Sequence, residues 1–355
     1  MFDKIIIVGL GLIGGSIAKS CKKNRLCKEI LAFNKSHETL EFAIENHVID
    51  GIYDFKEKIS DNDLVIIATP LSKYQESLER IAPNLSKNTI ITDVGSVKSF
   101  IETDILPNFP HLAKNFVSCH PIAGSDKSGV QNSDANLFQD KKLIIIKNHE
   151  VDHAKVERIS LFWQEIGSKI EYLTAENHDK IYALVSHLPQ KIAFAFADHN
   201  ELQNANEMPN FLIQKHLRLQ NSNPEIWREI FELNKKNIDH YFVIFSKNLD
   251  FFKKNLTEGN YEEIIEFLEK LDFSSINSTE IPQNIKQENQ EFSLSRTLIV
   301  GAFMAIKDLQ NCRSYVGSGF RDFTIILIYL KYLLSHRDLL AHSLQHHRNF
   351  LLKSL

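Results

Sequence analysis

The chain has 355 residues, of which 43% are hydrophobic and 24% are charged, and its formal net charge is -4. This composition is typical of a soluble globular protein with about two domains. It excludes a strongly basic nucleic-acid-binding protein, and no stretch approaches the roughly 20 apolar residues of a membrane-spanning helix. The four cysteines lack disulfide or metal-ligand spacing, so we expect reduced thiols, no metal site and a cytoplasmic protein.

A glycine-rich motif comes directly after the first apolar run, residues 5–8, and is followed by residues compatible with a helix. A strand, a tight turn and a helix start in this order are typical of a site for the pyrophosphate of a dinucleotide. A second strand, predicted at 29–33, has the spacing of a βαβ unit. We expect the dinucleotide to be bound by Gly9, Gly11, Leu12, Ile13 and Gly14.

Apolar runs continue to alternate with segments of helical periodicity as far as residue 173. The alternation predicts a doubly wound parallel sheet and a dinucleotide-binding Rossmann domain over residues 1–173. In such sheets, ligands bind outside the carboxyl ends of the strands. Thr69 and Pro70 end one buried run and are therefore predicted to face the ligand. The predicted later strands are 63–70, 89–94, 116–119, 142–147 and 169–173.

Helical periodicity predominates in the second half of the chain, from residue 174 to 355. We therefore predict an all-α second domain there. A polar stretch near 274–290, which contains a proline and several amide side chains, is predicted to be a linker or loop.

Two polar segments follow strands and are expected at the same edge of the sheet: Asp93-Val-Gly-Ser96-Val-Lys98 and His120-Pro-Ile-Ala-Gly124. A histidine beside proline and glycine is predicted on a rigid, exposed turn, where it can meet a substrate. Histidine is also the side chain most easily poised between donor and acceptor near neutral pH. A purely structural His-Pro turn is the alternative. Ser96 is predicted to orient either that imidazole or the nicotinamide.

Two further segments contain histidine or tryptophan beside proline: Ser186-His187-Leu-Pro189 and Ser222-Asn-Pro-x-x-Trp227-Arg228. Asn223-Pro predicts a helix start. His178 and Asp179, which precede the first segment, are interpreted as capping and packing residues.

Taken in order over residues 4–240, these motifs resemble those of the prephenate/arogenate dehydrogenase family. The resemblance implies a Rossmann domain followed by an all-α dimerisation domain, with a homodimer and an active site between the domains. It implies that His120 hydrogen-bonds the ring hydroxyl of the substrate and that Ser96 supports His120. It implies a substrate-carboxylate role for Arg218. The implied pocket residues are Ser125, Asp126, His187 and Gln190, the last at a position where the family often has a second histidine.

Two departures from the family pattern leave alternatives open. The acidic residue that usually binds the ribose is Asn34 here, followed by Lys35, so NAD is the first expectation and NADP the alternative. The segment that the family has before Arg218 is poorly matched in this chain. A close copy of that segment, which contains Arg321, lies about a hundred residues later. Arg218 is favoured as the carboxylate ligand because its downstream spacing is intact, and Arg321 is the competitor.

The function expected from these motifs is oxidative decarboxylation of prephenate in tyrosine biosynthesis. One alternative is the same reaction on arogenate or another small hydroxy acid. A second alternative is a nucleotide-binding regulator that has lost activity.

Overall fold

The computed structural model describes residues 2–125, 127–197 and 223–271, so the polar stretch 274–290 lies outside the described residues. The chain divides into two compact units, 1–244 and 245–355. In the described part of the chain, every helix is too short or too polar to cross a membrane.

Six parallel strands form the central sheet of the first unit, in the order β3-β2-β1-β4-β5-β6. Ile5 in β1 pairs with Ile30 on one side and with Leu64 on the other. The strand order therefore reverses between β1 and β4. The strands are β1 (Phe2–Val8), β2 (Cys27–Phe33), β3 (Gly51–Ile52), β4 (Leu64–Ile67), β5 (Ile90–Asp93) and β6 (Phe116–Val117).

Helices cover both faces of this sheet, because alternate residues of each strand point to opposite faces. Ile7 of β1 belongs to the same buried cluster as Ile17 of α1, whereas Val8 belongs to the cluster that contains Leu78 of α3. This two-sided burial confirms the predicted doubly wound Rossmann class. The helices that precede the second sheet are α1 (Leu12–Asn24), α2 (His37–Glu45) and α3 (Tyr74–Ile81).

The last three strands of the first half form a separate sheet in the order β7-β8-β9. β7 (Cys119–Pro121) and β8 (Lys142–Ile146) are antiparallel, and β8 and β9 (Lys169–Leu173) are parallel. Helix α4 (His153–Glu165) provides the crossover between the parallel pair. Between β7 and β8 the described residues form only a short 3-10 turn, and the chain returns antiparallel. Apolar runs alone do not reveal this change of direction.

The helical segments follow β9. Thr174 caps α5 (Ala175–Tyr182), whose last turn continues into a π-helical turn (Ala183–His187) and then into α6 (Leu188–Ala197). Asn223 accepts from the N–H of Glu225 at 3.0 Å and begins α7 (Pro224–Leu233), which confirms the predicted helix start. The remaining helices are α8 (Lys235–Glu258) and α9 (Tyr261–Glu269).

Candidate active site

The crevice between β1 and β4 is where the strand order reverses, which is the position at which doubly wound sheets bind ligands. Gly9 has a φ of +100°, and a Cβ there would lie 2.6 Å from the backbone of Ala68, just after β4. A Cβ at Gly14 would lie 2.2 Å from the carbonyl oxygen of Gly9. Only glycine therefore permits this turn to close against the neighbouring loop and the first turn of α1.

The second glycine of the motif faces open space. Among the described residues, no atom lies within 4 Å of a Cβ built on Gly11. No side chain caps the N-terminus of α1, and its first turn, which contains Leu12 and Ile13, has no acidic residue. The backbone N–H groups at this helix end are therefore suited to an anion such as pyrophosphate.

The residues that follow β2, which were predicted to meet the ribose, lie beside the glycine-rich turn. The Oδ1 atom of Asn34 accepts from the backbone N–H of Leu10 at 3.1 Å, which joins the end of β2 to the glycine-rich turn. Asn34 Nδ2 donates to the carbonyl oxygen of Ser36 at 3.4 Å. Lys35 is exposed beside it. The site thus has an amide and a cation where a carboxylate would repel a 2′-phosphate.

Thr69 and Pro70 lie two and three residues after the end of β4, at the carboxyl edge of the sheet. Thr69 Oγ1 lies 3.4 Å from Ser77 Oγ in α3, and Pro70 is exposed. The backbone of Thr69 adjoins the glycine-rich turn, because a Cβ on Gly9 would lie 2.7 Å from its nitrogen.

A buried ion pair holds the segment after β5 against β7. Lys98 is fully buried, and its Nζ donates to Asp93 Oδ2 at 2.7 Å and to the carbonyl oxygen of Cys119 at 2.5 Å. Asp93 also accepts from Tyr74 OH at 3.0 Å and from the backbone N–H groups of Gly95 and Cys119. With every charge partnered, the burial of this pair is compensated, and it sets the position of the strand that carries His120.

His120 lies inside β7, paired with Ile144, rather than on an exposed turn past a strand end. The expected turn was wrong because residues 119–121 hydrogen-bond to β8. The imidazole is only partly exposed, and its Nδ1 lies 2.8 Å from Nε2 of His178. Its ring packs against Tyr182 at a centroid distance of 5.3 Å.

The partners of His120 determine which of its nitrogens carries a proton. The Oδ1 atom of Asp179 lies 2.8 Å from Nδ1 of His178, and a carboxylate can only accept, so His178 Nδ1 donates. Neutral His178 then accepts at Nε2 from the Nδ1–H of His120. The Nε2 atom of His120 is left with its lone pair, as a hydrogen-bond acceptor for a ligand.

The charges of this cluster follow from burial. Burial lowers the pKa of His120 well below its ordinary value, and His178 and Lys98 lower it further. Burial also lowers the pKa of His178, against the opposing hydrogen bond to Asp179. Burial alone would raise the pKa of Asp179, but donation from His178 and two backbone N–H groups lowers it. Two neutral imidazoles and one carboxylate result near neutral pH.

His187 and Gln190 are both buried, at the π-helical turn and in α6. His187 Nδ1 lies 3.1 Å from Nδ2 of Asn234, and Asn234 Nδ2 also donates to the carbonyl oxygen of Asp179 at 2.8 Å. Burial lowers the pKa of His187 to about 4, with Asp179 opposing the shift. Asn234 thus connects the two histidine-bearing segments.

Two family models match the chain. One is described as the nucleotide-binding domain of prephenate dehydrogenase and matches residues 17–172, and the other is described as its dimerization domain and matches residues 174–270. The prephenate dehydrogenase of Bacillus subtilis is 30% identical over 280 residues, which cover 75% of this chain and 74% of that protein. This chain belongs to the prephenate dehydrogenase family.

Two further comparisons agree with that family. The cyclohexadienyl dehydrogenase of Zymomonas mobilis is 35% identical over 198 residues, which are 55% of this chain and 66% of that protein. The crystal structure of Aquifex aeolicus prephenate dehydrogenase, in complex with hydroxyphenyl propionate and NAD+, is 29% identical with a TM-score of 0.66. The match covers 78% of this chain and 98% of that chain. The predicted family and its two-part fold are confirmed.

The structure gives contacts for only some of the residues that the family resemblance implies. Among the described residues, no hydrogen bond joins Ser96 to His120, and the Nδ1 of that imidazole is held by His178 instead. Ser125 is exposed and accepts from the N–H of Lys127 at 3.2 Å. Three predicted pocket residues lie outside the described residues: Asp126, Arg218 and Arg321.

Sequence reasoning missed the hydrogen bonds that join His178, Asp179 and Asn234 to one another and to His120. The first two were interpreted as capping and packing residues, and Asp179 does cap the N–H groups of Lys98 and Ser99. The adjacency of His178 and Asp179 was a signal, since neighbouring polar residues are rarely buried without hydrogen-bond partners.

In the part of the chain that is described, no group of three or more His, Cys, Asp or Glu side chains forms a metal site.

Proposed function

We propose that this chain catalyses the oxidative decarboxylation of prephenate to 4-hydroxyphenylpyruvate, with NAD as the hydride acceptor, in tyrosine biosynthesis. The observation that carries the proposal is the hydrogen-bonded series from Asp179 through His178 to Nδ1 of His120, from which we infer an unprotonated Nε2 on His120. It lies in a chain whose Rossmann sheet has a dinucleotide crevice between β1 and β4.

The residues of the crevice fit a nicotinamide dinucleotide. The open space at Gly11 and the uncapped start of α1 would receive the pyrophosphate, and Asn34 would meet the ribose. Bound NAD would supply the acceptor for the hydride. NAD+ is present in the Aquifex aeolicus complex. NADP is the alternative cofactor, because Asn34 and Lys35 do not repel a 2′-phosphate.

His120 acts on the ring hydroxyl of the substrate. As hydride leaves the hydroxyl-bearing carbon, that carbon develops carbonyl character, and the Nε2 of His120 stabilises it by accepting the hydroxyl hydrogen bond. The bond to the ring carboxylate breaks, its electron pair enters the ring, and carbon dioxide departs. The proton shared with His120 stays with the phenol oxygen of the product. Aromatisation drives the reaction, so the protein chiefly positions the reactants.

A substrate with two carboxylates needs a cationic partner. We propose Arg218 for this role, with Arg321 as the competing candidate, because a guanidinium binds a carboxylate in a bidentate manner. His187, Gln190, Ser125 and Asp126 are proposed to line the pocket, and Ser96 to contact the nicotinamide or the imidazole.

The active form is proposed to be a cytoplasmic homodimer, with a nucleotide-binding domain at 1–173 and a helical domain at 174–355. The matched dimerization-domain model supports this. Further support comes from large apolar side chains that are exposed near the end of α5 and in the π-helical turn. These are Ile181, Leu184 and Val185, at 43%, 48% and 61% exposure.

Arogenate is the second candidate substrate. It has an amino group in place of the side-chain keto group of prephenate, and its ring reacts in the same way. The similarity to the Zymomonas mobilis cyclohexadienyl dehydrogenase supports arogenate as an alternative substrate. Gln190, where the family often has a histidine, gives the pocket a neutral amide.

Initial rates with prephenate and with arogenate, each with NAD and with NADP, test the proposal. We expect prephenate with NAD to be fastest, with one carbon dioxide and one 4-hydroxyphenylpyruvate formed per reduced cofactor. A protein that binds NAD and turns over neither substrate would be a nucleotide-binding regulator instead.

A further inference from the structure

A buried carboxylate on α7 holds the turn that follows β4. Glu229 lies in the middle of α7 and is 7% exposed. Its Oε1 accepts from the hydroxyl of Ser72, and its Oε2 accepts from the backbone N–H of Ser72 at 3.4 Å. The two residues are 157 positions apart in the chain. Among the described residues, both recorded donors to this carboxylate belong to Ser72.

The turn held in this way is a wall of the dinucleotide crevice. Residues 68–72 leave β4 at the point where the strand order reverses, opposite the glycine-rich turn. The two walls touch, because a Cβ at Gly9 would lie 2.6 Å from Ala68 and 2.7 Å from the backbone nitrogen of Thr69. A displacement of Ser72 would therefore move backbone that borders the dinucleotide.

Helix α7 is anchored next to this turn by apolar packing. Ile230 is buried, and it belongs with Trp227 to the hydrophobic cluster that also contains Leu71 and Tyr74. This packing therefore fixes the position of Glu229 next to Ser72. A buried carboxylate is unfavourable unless it is hydrogen-bonded, so its two bonds to Ser72 define the position of that residue.

We propose that Glu229 is a positioning residue for the cofactor. Its carboxylate fixes residues 69–72 against the dinucleotide. Part of the cofactor affinity of the Rossmann sheet then depends on α7, a helix of the proposed helical domain. The inference rests on the proposed function, because it requires a nicotinamide cofactor in the β1/β4 crevice.

The test is the Kd for NAD of the full chain, measured by titration calorimetry without substrate. Glu229→Gln removes the charge and one of the two acceptor oxygens, and Ser72→Ala removes the hydroxyl donor, so each should raise the Kd about tenfold. The double variant should show the same tenfold rise and not a hundredfold one, because both changes remove one interaction. Glu232→Gln, on an exposed carboxylate of the same helix, should leave the Kd within twofold.

A merely structural role would give a different result. In that case Glu229→Gln would lower the Tm or the fraction of chains that bind NAD, while the Kd of the folded chains stayed unchanged. If Glu229→Gln does not fold, Ser72→Ala alone decides, with Ser72→Thr as the control that keeps the hydroxyl. An unchanged Kd in Ser72→Ala overturns the inference. A wild-type chain that binds neither NAD nor NADP overturns the proposed function first.

Discussion

The β1/β4 crevice and the imidazole cluster around His120 are built in opposite ways. The crevice is formed largely by backbone, in a continuous motif whose glycines leave room for a ligand. The cluster is formed by side chains from β7 and α5 and by Asn234, which lies between α7 and α8, and His120 and His178 are 58 positions apart. A side chain added at one of the glycines would occupy the space of the crevice. Loss of one hydrogen-bond partner would change the protonation of the imidazole cluster.

This difference separates binding from chemistry. Variants of the cluster should impair turnover and leave cofactor binding intact, whereas variants of the crevice should change the choice or affinity of the cofactor. The following predictions test that division, from the largest expected effect to the smallest.

Replacing His120 removes the acceptor itself. His120→Asn should lower kcat by roughly two to four orders of magnitude, the usual contribution of general acid–base catalysis. The Kd for NAD, measured by titration calorimetry, should stay within a few-fold of wild type. Turnover within a few-fold of wild type would remove His120 from the mechanism.

The two candidate carboxylate ligands should differ in their effect on substrate binding. Arg218→Gln should raise the KM for prephenate roughly 30- to 1000-fold, through the loss of about 2–4 kcal/mol of charged hydrogen bonding. Arg321→Gln should be milder. The reverse ranking in steady-state kinetics would assign the carboxylate to the C-terminal copy of the motif.

Asp179→Asn should disturb the proton positions with little change in shape. The uncharged amide holds the proton on Nδ1 of His178 less strongly than the carboxylate does. This favours the tautomer of His178 that donates from Nε2 to His120 and leaves Nε2 of His120 protonated. We expect kcat to fall about 100-fold, at the lower end of acid–base contributions. Asp239→Asn, a change at a half-exposed carboxylate in α8, is the matched control and should be silent. Equal kcat values for the two variants would be evidence against the role of Asp179 in setting the proton positions of His178 and His120.

Substitutions of Asn34 and Lys35 should give the smallest effects, as changes in the affinity for NAD relative to NADP. Asn34→Asp should sharpen the preference for NAD over NADP about tenfold, because a carboxylate repels the 2′-phosphate. Lys35→Ala should weaken NADP about two- to fivefold and NAD less, as expected for an exposed charge. Equal changes in the Kd values of both cofactors would show that these side chains do not face the ribose.

The crevice was predictable from sequence because its determinants are local. The glycines, the preceding apolar run and the spacing to β2 lie within 33 residues. The separate second sheet was not predictable, because an apolar run specifies burial and not the direction of its neighbour.

The imidazole cluster was predictable only in part. His120 was identified from its motif, but its partners depend on how α5 packs against β7. That contact joins distant segments and leaves no short pattern in the sequence. His178 and Asp179 therefore resembled ordinary buried helix residues.

The protonation of His120 is the central claim, and NMR of the ring nitrogens in histidine-labelled protein reads it directly. We expect a neutral His120 with Nδ1 protonated and Nε2 unprotonated at pH 7. Because burial and neighbouring groups lower its pKa, this state should persist when the pH falls below 6.5, the ordinary value for histidine. Asp179→Asn should shift the proton to Nε2. An imidazolium, or an Nε2-protonated ring, in the wild-type protein at pH 7 would contradict the account.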